Sequence, residues 1–108
     1  MLARAVSGSS GGGSVTTVES PYTFVAGENT ITVSGISNIK AVLTYVIFAN
    51  GNGGPNYAYL DDSNELQQSN TNTSIFKINA ISGNTFTYAY NAAYAPSLSS
   101  SKYIVIGT

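Results

Sequence analysis

KAVLTYVIFA, residues 40–49, holds the longest apolar run in the chain, and its reading decides the fold. The run is rich in β-branched and aromatic residues, which fit a pleated, buried surface. It falls far short of the ~20 residues a membrane helix needs. In a strand, successive side chains point to opposite faces. Leu43, Tyr45 and Ile47 then share one face, and Val42, Val46 and Phe48 the other. Both faces are apolar. Such a strand is central and covered on both sides, or covered on one side by another subunit. Leu43, Tyr45 and Ile47 are therefore candidate assembly contacts.

The segments on either side read as strands too. Residues 30–34, TITVS, alternate strictly, with Ile31 and Val33 inward and hydroxyls outward. Residues 22–26 precede them across Gly27-Glu28-Asn29, which predicts a hairpin with a three-residue loop. Residues 15–19 form a short β-branched run. Residues 50–55, NGNGGP, read as a loop tip, and residues 57–60 as a short strand. Residues 61–72 are polar and predict a loop, with a brief strand near Leu66 and Gln67. Residues 73–80 alternate again, a turn follows at 82–84, and residues 85–91 put Phe86, Tyr88 and Tyr90 on one face. After a loop over 92–101, residues 102–107 close the chain as a strand, expected to point Ile104 and Ile106 inward. About seven or eight short antiparallel strands, with turn signals roughly every ten residues, predict an all-β fold, a β-sandwich or jelly-roll-like barrel. The expected core is Phe24, Ile31, Val33, Val42, Val46, Phe48, Phe76, Ile78, Phe86, Ile104 and Ile106.

Residues 7–14, SGSSGGGS, have no side chains to pack and read as flexible coil. The chain thus divides into an N-terminal arm, 1–14, and a β-sandwich domain, 15–108. Leu2 and Val6 are the arm's apolar anchors, placed where a larger partner could receive them. Residues 1–6 lack the apolar run of a signal peptide.

At 108 residues the chain has room for one modest core. Only 8% of residues are charged, against ~25% in a typical domain. Ser, Thr, Asn and Gly supply the polarity instead. Four cations, Arg4, Lys40, Lys77 and Lys102, make no basic patch, so nucleic acid is not an expected partner. Membrane association is not expected either. With neither Cys nor His, the chain has no disulfide, no thiolate chemistry and no imidazole metal ligand.

Catalysis by a carboxylate pair needs two acids across a cleft. Only Asp61, Asp62 and Glu65 cluster, and their spacing lacks the glycine and ligand count of a calcium loop. They read as a solvated hairpin loop. Ser101 and Lys102 are adjacent in a strand and point to opposite faces, so they do not cooperate. No catalytic residue, metal ligand or cofactor is assigned, and the chain is not expected to be an enzyme. Eight tyrosines are the most suggestive feature. Tyr57 and Tyr59 share a face, as do Tyr88 and Tyr90. They are candidates for a glycan-binding platform, weighed against ordinary cross-strand aromatic packing.

YTFVAGENTITVSGI (22–36), IKAVLTYVIF (39–48), SGNTFTYAY (82–90) and YIVIGT (103–108) resemble the small β domains of bacteriophage tail fibres and virion appendages. The resemblance is one of pattern over about four-fifths of the chain, and it carries no catalytic residues. It implies a structural virion subunit, tail-associated or decorating the head. Its expected partners are other virion proteins and further copies of itself, with a surface glycan as the alternative ligand.

Overall fold

A computed structural model describes residues 2–6, 14–48, 53–68, 75–91 and 98–108. These form nine strands: β1 (Leu2–Val6), β2 (Val15–Pro21), β3 (Gly27–Thr32), β4 (Ile39–Phe48), β5 (Gly53–Leu60), β6 (Leu66–Gln68), β7 (Phe76–Ser82), β8 (Thr85–Tyr90) and β9 (Leu98–Gly107). A six-stranded sheet runs β1-β2-β9-β4-β5-β6 and a three-stranded sheet runs β3-β8-β7. Every pairing is antiparallel. The two sheets pack face to face as a small β-sandwich rather than a closed barrel.

β4 is central, bonded to β9 on one side and β5 on the other. It sends Val42, Thr44, Val46 and Phe48 into the core. Opposite them lie Val33, Ile78, Phe86 and Tyr88, with Phe24 wedged between the sheets. Phe24 meets Tyr88 edge-on at 4.8 Å and Phe76 at 5.0 Å between ring centroids. These T-shaped contacts set the electropositive edge of one ring on the electronegative face of another.

The hairpin expected across Gly27-Glu28-Asn29 does not form. Residues 22–26 instead cross from the large sheet to the small one. Tyr22 is tied to β9: its N–H donates to the Ser101 carbonyl, and Ser101 Oγ donates to the Tyr22 carbonyl. The Val25 N–H donates to Tyr88 Oη at 3.0 Å. Gly27, with φ at +98°, turns the chain into β3, which pairs with β8. The turn residue was legible, but it is the entry to a strand and not the tip of a hairpin. Ile31 and Val33 do face inward.

The last strand has the opposite facing to the one expected. Tyr103 and Val105 are buried, while Ile106 is 40% exposed. The cause is register: Tyr103 lies opposite Thr44 and Val105 opposite Val42, so both join the inward rows of β4. A bulge between Ile39 and Ala41 closes this pairing. There Gly107 lies against the Asn38 carbonyl so closely that an added Cβ would stand 1.8 Å from its oxygen. Thr108 N–H donates to Asn38 O, and the N–H groups of Ser37 and Asn38 donate to Thr108 O.

Strand β5 begins at Gly53, so residues 53–55 of the expected loop are strand. Pro55 sits opposite Tyr45, on a stretch that β6 does not reach, since β6 pairs only with Ala58 to Leu60. A proline is tolerated where its missing N–H is not needed by a ladder. Residues 49–52 lie outside the described residues. The brief strand near Leu66 and the turn at 82–84 form as expected.

Leu2–Val6, read in the sequence as part of a flexible arm, is the edge strand of the large sheet. It pairs from Leu2↔Glu19 to Val6↔Val15. The side chains of Leu2 and Val6, and residues 7–13, lie outside the described residues.

The two sheets are also linked by a side chain. Gln68, at the end of β6, donates Nε2 to the Ile78 carbonyl at 3.0 Å and accepts the Ile78 N–H on Oε1 at 2.7 Å. Its amide thus serves β7 as a neighbouring peptide group would, bridging one edge of each sheet.

Candidate functional site

The alternation that builds the core also builds the outer face of the large sheet. Cross-strand register aligns its residues in rows. One row runs Tyr59–Ala41–Ile106–Thr17, the next Tyr57–Leu43–Ile104–Glu19, the third Pro55–Tyr45–Lys102–Pro21. Tyr45, Tyr57 and Tyr59 are 40%, 43% and 37% exposed, and Leu43 and Ile47 are half-buried. The rings of Tyr57 and Tyr59 lie 5.5 Å apart. At the centre Lys102 Nζ meets Glu19 Oε2 at 2.9 Å. Val15 is exposed nearby, on β2.

The structure therefore brings together five of the residues singled out from the sequence: Leu43, Tyr45, Ile47, Tyr57 and Tyr59. It does not bring Tyr88 and Tyr90 to them. Those two project from β8 into the core, at 0% and 6% exposure, so they form no surface platform. Phe76 stacks on Tyr88 at 5.6 Å, and Phe48 on Tyr90 at 6.3 Å. Burial pushes the Tyr88 phenol above its ordinary pKa, while the Val25 N–H bond opposes the shift. Sequence reasoning missed Ile104 and Ile106 as surface residues. The signal was there, because Tyr103-Ile104-Val105-Ile106 is apolar on both faces, as β4 is.

The acidic cluster is a hairpin loop between β5 and β6. Asp61 Oδ1 accepts the N–H groups of Ser63 and Glu65, both at 2.9 Å, and Oδ2 accepts Gln67 Nε2 at 2.9 Å. The Glu65 and Gln67 bonds hold its carboxyl below the usual value. Its oxygens are committed to closing the turn, and Asn64 adopts φ +65° at its tip. Of the remaining acids, Glu28 accepts Asn79 Nδ2 at 2.5 Å and Glu19 pairs with Lys102. Among the described residues no three acidic side chains converge.

No family model matches the chain, and no match was found among curated proteins or solved structures. The functional reading therefore rests on the chain's own geometry and on its sequence pattern.

Proposed function

We propose that this protein is a structural subunit of a bacteriophage particle, working by assembly contacts and without catalysis. The observation that carries the reading is the outer face of the six-stranded sheet. Three tyrosines, Ile106 and the half-buried Leu43, Ile47 and Ile104 make one contiguous surface. Apolar patches of this kind on soluble domains mark interaction sites. The face is rigid because each of its main strands is bonded on both sides, so docking costs little ordering entropy. The phage context rests on the sequence pattern of 22–36, 39–48, 82–90 and 103–108. The test is fractionation of particles from the native source. The chain should co-sediment with particles in multiple copies, and a Leu43→Lys, Tyr45→Lys, Tyr57→Lys triple variant should stay soluble. Wild-type protein found only in the soluble fraction would overturn the proposal.

A second reading is favoured by one observation, the exposed Tyr57 and Tyr59 side by side on β5, with Gln67 opposite Tyr59 on β6. Aromatic rings beside an amide suit a sugar face. Glycan-array binding lost in Tyr57→Ala, Tyr59→Ala would support it, and a blank array would remove it.

A further inference from the structure

We infer that the outer face of the six-stranded sheet docks on the same face of a second copy, sheet on sheet across a two-fold axis. The inference rests on reading that face as an assembly surface, and it names the occupant.

Size is the first argument. Four full-length strands and two short ones, ~4.8 Å apart and about seven residues long, give a face of roughly 600 Å² in projection. That projected area is of the order of the ~800 Å² per partner that a stable interface buries. A small ligand would leave most of it in water.

Charge is the second. The charged groups in the central rows, Glu19 and Lys102, already neutralise each other at 2.9 Å. Among the described side chains of these three rows there is no other charge, while Arg4 continues the Thr17 row onto β1 at the sheet's edge. The central rows therefore meet their copies without net charge.

Relief is the third. In two of the three rows a tyrosine on one strand faces a smaller residue on the other, Tyr59 beside Ala41 and Tyr45 beside Pro55, while the row between them pairs Tyr57 with Leu43. Each small residue leaves a hollow and each tyrosine a knob. An isologous contact requires both on one surface, because each copy must supply what the other lacks. Aligned sheets interdigitate in this way at ~10 Å separation.

The test is sedimentation velocity on the full chain over about 1–300 µM, a range that brackets micromolar affinity. The expected species has twice the 11.2 kDa chain mass. Leu43→Lys and Tyr57→Lys should each weaken the dimer by about 30-fold or more, as loss of a central contact does. Both side chains are solvent-facing, so circular dichroism should stay unchanged. Thr32→Lys, exposed on the small sheet, should leave the dimer intact. A chain monomeric throughout the range overturns the inference, as does a dimer indifferent to both face variants. A monomer that still enters particles, with the triple variant excluded, overturns the second copy as occupant while leaving the structural role standing.

Discussion

Replacing Gly107 by alanine tests the closure of the large sheet. The added Cβ would lie 1.8 Å from Asn38 O, 2.8 Å from Asn38 C and 3.0 Å from Ile39 Cα. Carbon–oxygen contacts in sheets sit near ~3.3–3.6 Å, so the two chain segments must part by roughly 1.5 Å. All three obstructing atoms are backbone, and no rotamer change relieves them. The Thr108 N–H bond to Asn38 O, now 3.0 Å, would pass out of hydrogen-bond range, and the bonds from Ser37 and Asn38 to Thr108 would follow. Each is worth ~1 kcal/mol net. Ile39, only 2% exposed, would be drawn from the core as well. The expected loss is about 2–4 kcal/mol, and at ~4–8 °C per kcal/mol for a domain of this size the Tm should fall by about 8–32 °C. Differential scanning calorimetry with matched urea melts reads it, with exposed Ser34→Ala as a control expected within ~0.5 kcal/mol. A Gly107→Ala protein melting within about 3 °C of wild type would refute the close approach and the register of β9 on β4 that depends on it.

Three other outcomes follow from the same geometry. Tyr88→Ala should cost ~3–5 kcal/mol by emptying the aromatic core, and Tyr88→Phe ~1 kcal/mol by unpairing the Val25 N–H, whereas Tyr57→Ala should stay within ~0.5 kcal/mol; chemical denaturation ranks the three. Gln68→Ala leaves the Ile78 N–H and carbonyl without their bridging partner, so amide exchange at Ile78 should accelerate and stability fall by ~1–3 kcal/mol; unchanged exchange there would discount the bridge. Asp61 has its folded pKa depressed, so its contribution is complete above the unfolded value of ~3.9 and is lost as pH falls through the lower folded value. The protection of the Ser63 and Glu65 amides, taken relative to the intrinsic exchange rate at each pH, should therefore fall in acid in the wild type, and Asp61→Asn should flatten that pH dependence.

The sequence determined the fold class and the centres of most strands, though not the strand at Leu2–Val6 or the starts of β5 and β9. Period-two alternation in TITVS set Ile31 and Val33 inward without any tertiary information, because one parity is apolar and the other polar. Ser82-Gly83-Asn84 marked a turn, and no stretch carried a sustained helical period, so short strands joined by polar turns were the elements to expect. The assembly candidates Leu43, Tyr45 and Ile47 were also readable as one face of a two-sided strand. Which face stayed open was not readable. In β4 and β9 both parities are apolar, and local sequence does not choose between them. That choice was made by cross-strand register: Tyr103 opposite Thr44 buries the odd residues of β9 and turns Ile104 and Ile106 outward. The fate of the tyrosines was equally a tertiary matter. Tyr57-x-Tyr59 and Tyr88-x-Tyr90 are alike as patterns, yet β5 presents its pair to solvent and β8 presents its pair to Phe24, Phe76 and Phe48. The sheet to which a strand belongs decides whether its aromatic face is core or surface, and strand partnership is set by contacts distant in sequence.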